Sequence, residues 1–226
     1  MQCPKCKSER FIKDGIVKSK QRHKCKTCNF RYTVTKKSTE KPLYLKRFAL
    51  QLYLEGLGFR SIGRVLKVSN VSILNWIRQF GEQVKSLQSD EPASITEIDE
   101  MHTYIGTKKY KWIWIAVNRY EKRFINFVIG DRSATTGKRL WLNIKEQSYG
   151  KIATDLWKPY EYFVPKSQHI QSKSQTFTVE GYNSLFRHFL ARLRRKTKCY
   201  SKMLYMLELS ILLLMHYRNN TLAILN

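Results

Sequence analysis

Two Cys-x-x-Cys pairs lie close to the start of the chain, Cys3 with Cys6 and Cys25 with Cys28. A segment this short cannot bury a hydrophobic core of its own. Four thiolates at this spacing are typical of a tetrahedral structural zinc site, which would hold such a segment together. We therefore predict a zinc ribbon over residues 1–37, with all four cysteines as ligands of Zn²⁺.

The charge balance of the chain predicts a polyanionic partner. It carries 42 Lys and Arg against 17 Asp and Glu, a net charge of +25 over 226 residues. The basic residues occur in every segment instead of following one amphipathic helix, which favours nucleic acid over a membrane surface. The apolar run 203–215 is too short to span a bilayer, so no membrane partner is expected. Cysteines can bind a metal only while they are not oxidised to disulfides, so the two cysteine pairs predict a reducing, cytoplasmic compartment.

Three short helices are predicted behind the cysteine segment, at residues 43–55, at 61–66 and from Ser69 onward. A tight turn separates the last two, and Ser69 is a good N-cap for the third. This order is typical of a helix-turn-helix DNA-binding domain, which we assign to residues 38–88. A generic three-helix bundle with a solvated face stays open as the alternative.

The third of these helices supplies candidate contacts to DNA. Apolar residues at helical spacing predict one buried face. Short polar side chains on the remaining surface suit base edges and phosphates in a major groove. The four that we expect to face away from the apolar stripe are Asn70, Ser72, Asn75 and Gln79.

Residues 95–226 predict a sheet covered by helices. The predicted elements are strands at 95–104, 111–117, 123–129 and 151–154 and a helix at 138–146, with long helices filling the rest of the chain. Hairpin-sized gaps join the first three strands, which should form an antiparallel meander. This order is found in a ribonuclease-H-like α/β catalytic domain. The chain as a whole is predicted to be a multidomain α+β protein.

Acidic residues are scarce, and three of them fall where this fold would bring them together. Asp99 lies in the first strand, Asp155 ends the short fourth strand, and Glu180 lies at the start of a later helix. Converging carboxylates repel one another unless cations lie between them, so they predict two Mg²⁺ or Mn²⁺ ions for phosphoryl transfer. Asn183 and Arg187 share a helix face with Glu180, which would aim an amide and a guanidinium at the same phosphate.

Three ordinary surface or helix-capping acids are the alternative interpretation, and Glu180 alone would favour a helix N-terminus. Asp99 in an otherwise apolar strand argues for the catalytic interpretation. The rival for the second catalytic acid is Asp131, in the loop after the third strand.

Together these motifs resemble the transposases of insertion-sequence family 1, a DDE group, over essentially the whole chain. The most specific block spans residues 169–187, with His, Lys, Thr, Glu, Asn and Arg at the family's spacing, followed by an Arg-Lys-Thr and a Ser-Lys pair. His102 is a departure, since a Trp commonly follows the first acidic block. The residues similar to the two earlier blocks are Asp99, Glu100 and Met101, then Thr154, Asp155, Trp157 and Tyr160.

The resemblance implies a DNA transposase whose triad is Asp99, Asp155 and Glu180, with Arg187 as the accompanying basic residue. Such an enzyme binds the terminal inverted repeats of its element and catalyses metal-dependent strand cleavage and strand transfer. The residues expected to assist at phosphates or to follow the DNA backbone are His169, Lys173, Asn183, Arg192, Arg194, Arg195 and Lys196.

Cutting two element ends requires two active sites, so we expect a homodimer or higher oligomer on double-stranded DNA, in the bacterial cytoplasm at the nucleoid. The alternative function is a non-catalytic DNA-binding regulator of transposition. A solvated basic helix face is the alternative interpretation of the basic segment 192–202.

Overall fold

The computed structural model describes residues 1–33, 40–84 and 92–225. Contacts divide the chain into two compact units, Met1–Pro42 and Leu43–Asn226. The last residues of the predicted zinc ribbon, 34–37, and of the predicted helix-turn-helix domain, 85–88, lie outside the described residues.

The N-terminal unit is a three-stranded antiparallel sheet in the order β1-β2-β3, formed by β1 (Phe11–Val17), β2 (Lys20–Cys25) and β3 (Arg31–Tyr32). Its buried apolar cluster consists of little more than Cys3, Cys25 and Tyr32. A core of this size cannot stabilise a fold without help, which agrees with the expectation that the cysteines bind a stabilising ion.

Three helices open the second unit: α1 (Leu43–Leu54), α2 (Phe59–Leu66) and α3 (Asn70–Gln83). Their positions agree closely with the sequence prediction. The N-cap is confirmed, because Ser69 Oγ accepts a hydrogen bond from the Ser72 amide at 3.0 Å.

The three helices share one hydrophobic core with the C-terminal part of the chain. Leu50 and Ile73 belong to the same buried cluster as Leu207 on helix α6 (Leu204–Arg218). Tyr53 also donates a buried hydrogen bond to Ser210 Oγ at 2.7 Å. Contacts therefore do not separate α1–α3 from the sheet domain, and an independent helix-turn-helix domain stays a prediction.

A five-stranded mixed sheet forms the centre of this unit. Its strands are β4 (Ile95–Ile105), β5 (Thr107–Asn118), β6 (Arg123–Gly130), β7 (Lys151–Thr154) and β8 (His169–Gln171). The order is β6-β5-β4-β7-β8. The predicted meander β4-β5-β6 is antiparallel, and β7 and β8 add to it in parallel.

Helices cover both faces of the sheet. On one face, α4 (Ala134–Ile144) packs against a cluster that includes Trp114. On the other face lie α5 (Phe177–Phe189) and α6. Helix α4 begins four residues before its predicted start at Lys138, because Ser133 provides the N-cap and accepts from the Thr136 amide.

Although α6 is apolar, no helix in the described part of the chain has the length and hydropathy that a bilayer crossing requires.

The chain directly before β7 requires a glycine at position 150. A Cβ on Gly150 would lie 1.9 Å from the Ser94 carbonyl oxygen, whereas a Cβ on Gly181 in α5 would meet no heavy atom within 4 Å. We expect Gly150→Ala to lower the free energy of unfolding by about 1–3 kcal/mol or more through backbone displacement. Gly181→Ala, the matched control, should raise it by about 0.5–1 kcal/mol. Urea denaturation measures both, and a Gly150→Ala variant as stable as wild type would contradict this packing.

Candidate active site

Strand β4 presents acidic side chains to both faces of the sheet. Side chains alternate along a strand, so Glu97 and Asp99 lie on the face covered by α5 and Glu100 lies on the opposite one. Asp99 Oδ2 accepts a hydrogen bond from Asn183 Nδ2 of α5 at 2.7 Å. The predicted neighbours Asp99 and Asn183 are therefore in direct contact.

The three predicted catalytic carboxylates line a single pocket. Because β7 runs parallel to β4, the residue after its last position lies beside the centre of β4. Glu180 reaches the same place from the first turn of α5. The pocket has a volume of about 250 Å³ and is lined by Asp99, Asp155, Leu156, Trp157, Lys173 and Glu180. The structure thus brings Lys173 to the carboxylates as well.

Local hydrogen bonds orient the second and third carboxylates. Asp155 Oδ1 accepts from the Trp157 amide at 2.9 Å, and Glu180 Oε1 accepts from Thr176 Oγ1 at 3.2 Å. The carboxylate oxygens surround the pocket without meeting at one point. Within the described ranges, only the four cysteines bring three or more possible metal ligands that close together.

The electrostatics of the pocket disfavour negative charge. Burial, together with the nearby carboxylates of Glu100, Asp155 and Glu180, raises the pKa of Asp99 to about 7. Burial also raises the pKa of Glu100, against the hydrogen bonds that it accepts. Oxygen donors that repel one another in this way are a suitable ligand set for hard divalent cations.

A buried ion pair that the sequence analysis missed fixes the start of α5. Glu97 is fully buried, and its Oε1 accepts from Arg119 Nε at 2.6 Å. Its Oε2 accepts from the Val179 amide in the first turn of α5 at 2.9 Å. Arg119 also donates to the side chain and carbonyl of Gln175, at 2.9 and 2.6 Å. The one sequence feature that points to Glu97 is its position two residues before Asp99, which places both side chains on the same face of the strand.

A second missed network lies on the opposite face of the sheet. Glu100 accepts from Tyr160 Oη at 2.5 Å and from Arg132 Nε at 2.8 Å. The Arg132 guanidinium lies between the rings of Trp112 and Trp157, 4.6 and 4.7 Å from their centroids. Trp157 joins this network to the pocket, whose wall it helps to form. The sequence feature that points to this network is the position of Glu100 directly after Asp99.

The other predicted helpers lie at different distances from the pocket. His169 Nε2 is 2.8 Å from Thr154 Oγ1, one residue before Asp155, and burial lowers its pKa. Arg187 is partly buried one turn beyond Asn183. Burial and the neighbouring Arg195 lower its pKa. Arg187 is not among the residues that line the pocket.

The prediction for Arg192 requires a correction. We expected it to follow the DNA backbone, but it is 6% exposed. Its Nη1 donates to Ser201 Oγ at 2.7 Å and to the Met206 carbonyl at 3.2 Å. Its guanidinium also lies over the rings of Tyr53 and Phe59, so it is held within the fold. In contrast, Arg194, Arg195 and Lys196 are exposed, in a segment that follows a 3-10 turn and is not a helix.

The predicted DNA contacts of α3 do not share one face. Asn75 and Gln79 are exposed. Ser72 is half-buried, and its Oγ lies 2.9 Å from Ser69 Oγ in the cap. Asn70 is nine residues from Gln79, roughly two and a half turns, which places it on the opposite side of the helix. There it lines a groove of about 780 Å³ with Leu74 and Arg78.

Asp131, the rival second acid, has a structural contact instead. Its Oδ1 accepts from Ser133 Oγ at 2.5 Å and from Thr136 Oγ1 at 2.6 Å, at the start of α4. These hydrogen bonds lower its pKa. Asp131 is not among the residues that line the carboxylate pocket.

The four N-terminal cysteines form a separate candidate metal site. Their Sγ atoms lie within 4.8 Å of one another, and none is in a disulfide. The Sγ atoms of Cys3 and Cys28, and those of Cys6 and Cys25, are 3.6 Å apart. Tetrahedral zinc with Zn–S bonds of about 2.3 Å requires S···S distances of roughly 3.8 Å. The cluster therefore fits such an ion.

Comparison with known proteins gives the class as transposase. The model of the IS1 transposase family matches residues 93–220, the part that contains the sheet and the three carboxylates. The chain belongs to the IS1 transposase family.

Two similar proteins are named for insertion elements. The "Insertion element iso-IS1n protein InsB" of Shigella dysenteriae is 32% identical over 111 residues, 49% of this chain and 85% of that protein. The "Insertion element IS1 4 protein InsB" of Escherichia coli K12 is 34% identical over 124 residues, 54% of this chain and 72% of that protein.

A chain in the cryoEM structure of a simian T-cell lymphotropic virus intasome with PP2A regulatory subunit B56 gamma aligns over 76% of this chain and 67% of its own length. Its TM-score of 0.40 and 14% identity are too low to support an argument about the fold.

The raised pKa of Asp99 predicts how stability depends on pH. The folded-state pKa of about 7 lies above the ordinary value of 3.8, so the native state binds more protons between these two values. The free energy of unfolding should then fall as the pH rises through this interval. Without added divalent metal, Asp99→Asn should therefore be more stable than wild type at about pH 8, by roughly 2–4 kcal/mol, and by much less at about pH 5.

Asp131→Asn is the matched control for this measurement. The pKa of the Asp131 carboxyl in the wild type is lowered, so the Asp131 charge stabilises the fold at pH values above its ordinary pKa. The Asp131→Asn variant should therefore be less stable than wild type at about pH 8. Urea denaturation at both pH values measures each variant. An Asp99→Asn variant that is less stable than wild type at both would contradict the electrostatic description.

Proposed function

We propose that this protein is a DNA transposase that binds the terminal inverted repeats of its own insertion element and catalyses metal-dependent strand cleavage and strand transfer. One observation carries the proposal. Asp99, Asp155 and Glu180 come from a strand, a strand end and a helix far apart in sequence, and they line the same pocket. We further propose that the sheet domain is ribonuclease-H-like.

Asp99, Asp155 and Glu180 would hold two Mg²⁺ or Mn²⁺ ions. Ions bound there would neutralise negative charge on the phosphate and lower the pKa of a bound water. The burial and mutual repulsion that raise the pKa of Asp99 support this assignment, because such a site is stabilised by cations.

The protein's own groups position the reactants. Asn183 holds the Asp99 carboxylate through a 2.7 Å hydrogen bond, and the Trp157 amide holds that of Asp155. Lys173 at the pocket wall would bind a non-bridging phosphate oxygen. In the first step water attacks the phosphorus at the element's end, and the bond to the 3′-oxygen breaks to free a 3′-hydroxyl. That hydroxyl then attacks a target phosphodiester and displaces the 3′-oxygen of the target strand. Because neither step forms a covalent bond to the protein, correct positioning of the reactants supplies much of the rate enhancement.

The exposed basic and polar residues would bind the DNA outside the pocket. Asn75 and Gln79 on α3 are available for base edges, and Arg194, Arg195 and Lys196 for phosphates. The N-terminal zinc ribbon would add a basic surface. We propose that a homodimer or higher oligomer pairs the two element ends, in the bacterial cytoplasm at the nucleoid.

Cleavage of end-containing DNA tests the catalytic proposal. Purified protein with Mg²⁺ or Mn²⁺ should nick duplexes that carry the element's ends, and Asp155→Asn should lower the rate by roughly 10³-fold or more while keeping end binding. Asp131→Asn is the control and should cut within a few-fold of wild type, because Asp131 lies outside the pocket lining. Equal cutting by Asp155→Asn and wild type would contradict the triad. Tight end binding by wild type without cutting in either metal would instead favour the regulator.

Zinc content tests the N-terminal ribbon. Cys25→Ser should lose the bound zinc and weaken binding to element ends, because one of four ligands is removed. Residues 43–225 should stay folded, since they belong to a separate compact unit. Cys199→Ser is the matched control, because Cys199 is an exposed free cysteine outside the cluster. Metal analysis and circular dichroism measure both, and a Cys25→Ser variant with one zinc per chain would contradict the assignment.

A further inference from the structure

The hairpin formed by β4 and β5 carries a row of aromatic side chains on one face. Its cross-strand pairs include His102 opposite Trp112 and Tyr104 opposite Tyr110. The ring centroids of His102 and Trp112 are 5.3 Å apart, those of His102 and Tyr110 4.7 Å, and those of Tyr104 and Tyr110 5.1 Å. We call these four residues the aromatic ladder.

The outer part of this ladder is open to solvent. The next strand ends at Gly130, which pairs with Trp112, so no β6 residue lies beside the hairpin beyond that point. Tyr110 is 56% exposed. Exposed aromatic rings in a row are costly in water unless they have a partner that covers them.

Basic side chains lie beside the aromatic ladder. Lys108 is exposed two residues before Tyr110 and so shares the ladder's face of the hairpin, whereas Lys109 and Lys111 alternate to the opposite face. At the inner end, the Arg132 guanidinium lies on the Trp112 ring, and Glu100 holds it there. Burial lowers the pKa of His102, and the nearby cations Arg187, Arg195 and Arg132 lower it further. Aromatic rings interleaved with basic side chains are typical of surfaces that bind unpaired nucleotides.

The ladder lies on the same face of the sheet as Glu100, opposite Asp99, and it reaches the carboxylate pocket through Trp157. Arg132 lies between Trp112, the inner end of the ladder, and Trp157, which lines the pocket. A DNA strand with its phosphate in the pocket could therefore continue along the ladder. Bases inside a duplex are stacked on each other, so only unpaired bases could use the rings.

We propose that the aromatic ladder binds unpaired bases of the DNA strand next to the phosphate that is cut. This inference rests on the proposed transposase function and names the form of DNA that the site takes. Lys108 and Arg132 beside the ladder favour this occupant over a second copy of the chain, since the phosphates of a DNA strand complement these cations, whereas pairing of two such surfaces would bring like charges together.

Equilibrium binding of two DNA probes tests the proposal. The probes are a fluorescein-labelled duplex with flush ends and the same duplex with a short unpaired thymidine tail, at one fixed salt concentration and without added divalent metal. Wild type should bind the tailed duplex more tightly. Tyr110→Ala should reduce this preference roughly 5-fold or more, because each stacked base contributes substantially to affinity. Tyr110→Phe keeps the ring and should keep the preference.

Tyr120→Ala is the matched control, since Tyr120 is 69% exposed but lies in the turn between β5 and β6, away from the ladder. It should bind both probes as wild type does. Equal weakening of both probes by Tyr110→Ala would overturn the proposal, as would an unchanged tail preference. Loss of self-association in sedimentation with an unchanged tail preference would assign the ladder to a protein interface instead. Because no strand is cut in this assay, failure of cleavage would leave its result intact.

Discussion

The buried contact between Glu97 and Arg119 holds the candidate active site together. Glu97 joins three parts of the chain that are distant in sequence: its own strand β4, the end of β5 through Arg119, and the first turn of α5 through the Val179 amide. Removing one partner of such a buried pair typically costs about 3–5 kcal/mol, because the other charge is left without compensation. As the next residue of α5 is Glu180, the same contact determines where the third carboxylate lies.

The net charge of this protein and the charges in its pocket have opposite effects on a polyanion such as DNA. The net charge of +25 attracts a polyanion to almost any part of the surface. The pocket, in contrast, collects carboxylates that would repel a phosphate, and ionisation of Asp99 among them is disfavoured, as its raised pKa shows. Divalent cations would reconcile the two in the proposed function, because they would bind the carboxylates and the phosphate together. The proposed function explains both features, whereas a simple DNA-binding protein would explain only the first.

Local patterns predicted most of the secondary structure, and contacts distant in sequence account for what they missed. The three meander strands, β7 and the Ser69 cap follow from alternation, turn residues and capping chemistry. The placement of three acids around one pocket follows from the expected order of strands. The partners of Glu97 lie 22 and 82 residues away, so no local signal identifies them. Arg192 was misjudged for the same reason: a basic segment indicates exposure, and only the folded chain shows that its guanidinium is buried.

Binding of Mn²⁺, followed by electron paramagnetic resonance, tests the central claim that the three carboxylates form a cation site. The comparison is between wild type and a variant with Asp99→Asn, Asp155→Asn and Glu180→Gln, both with zinc in the ribbon and both shown to be folded. We predict that wild type binds Mn²⁺ that the variant does not bind. Equal Mn²⁺ binding by the two proteins would contradict this claim.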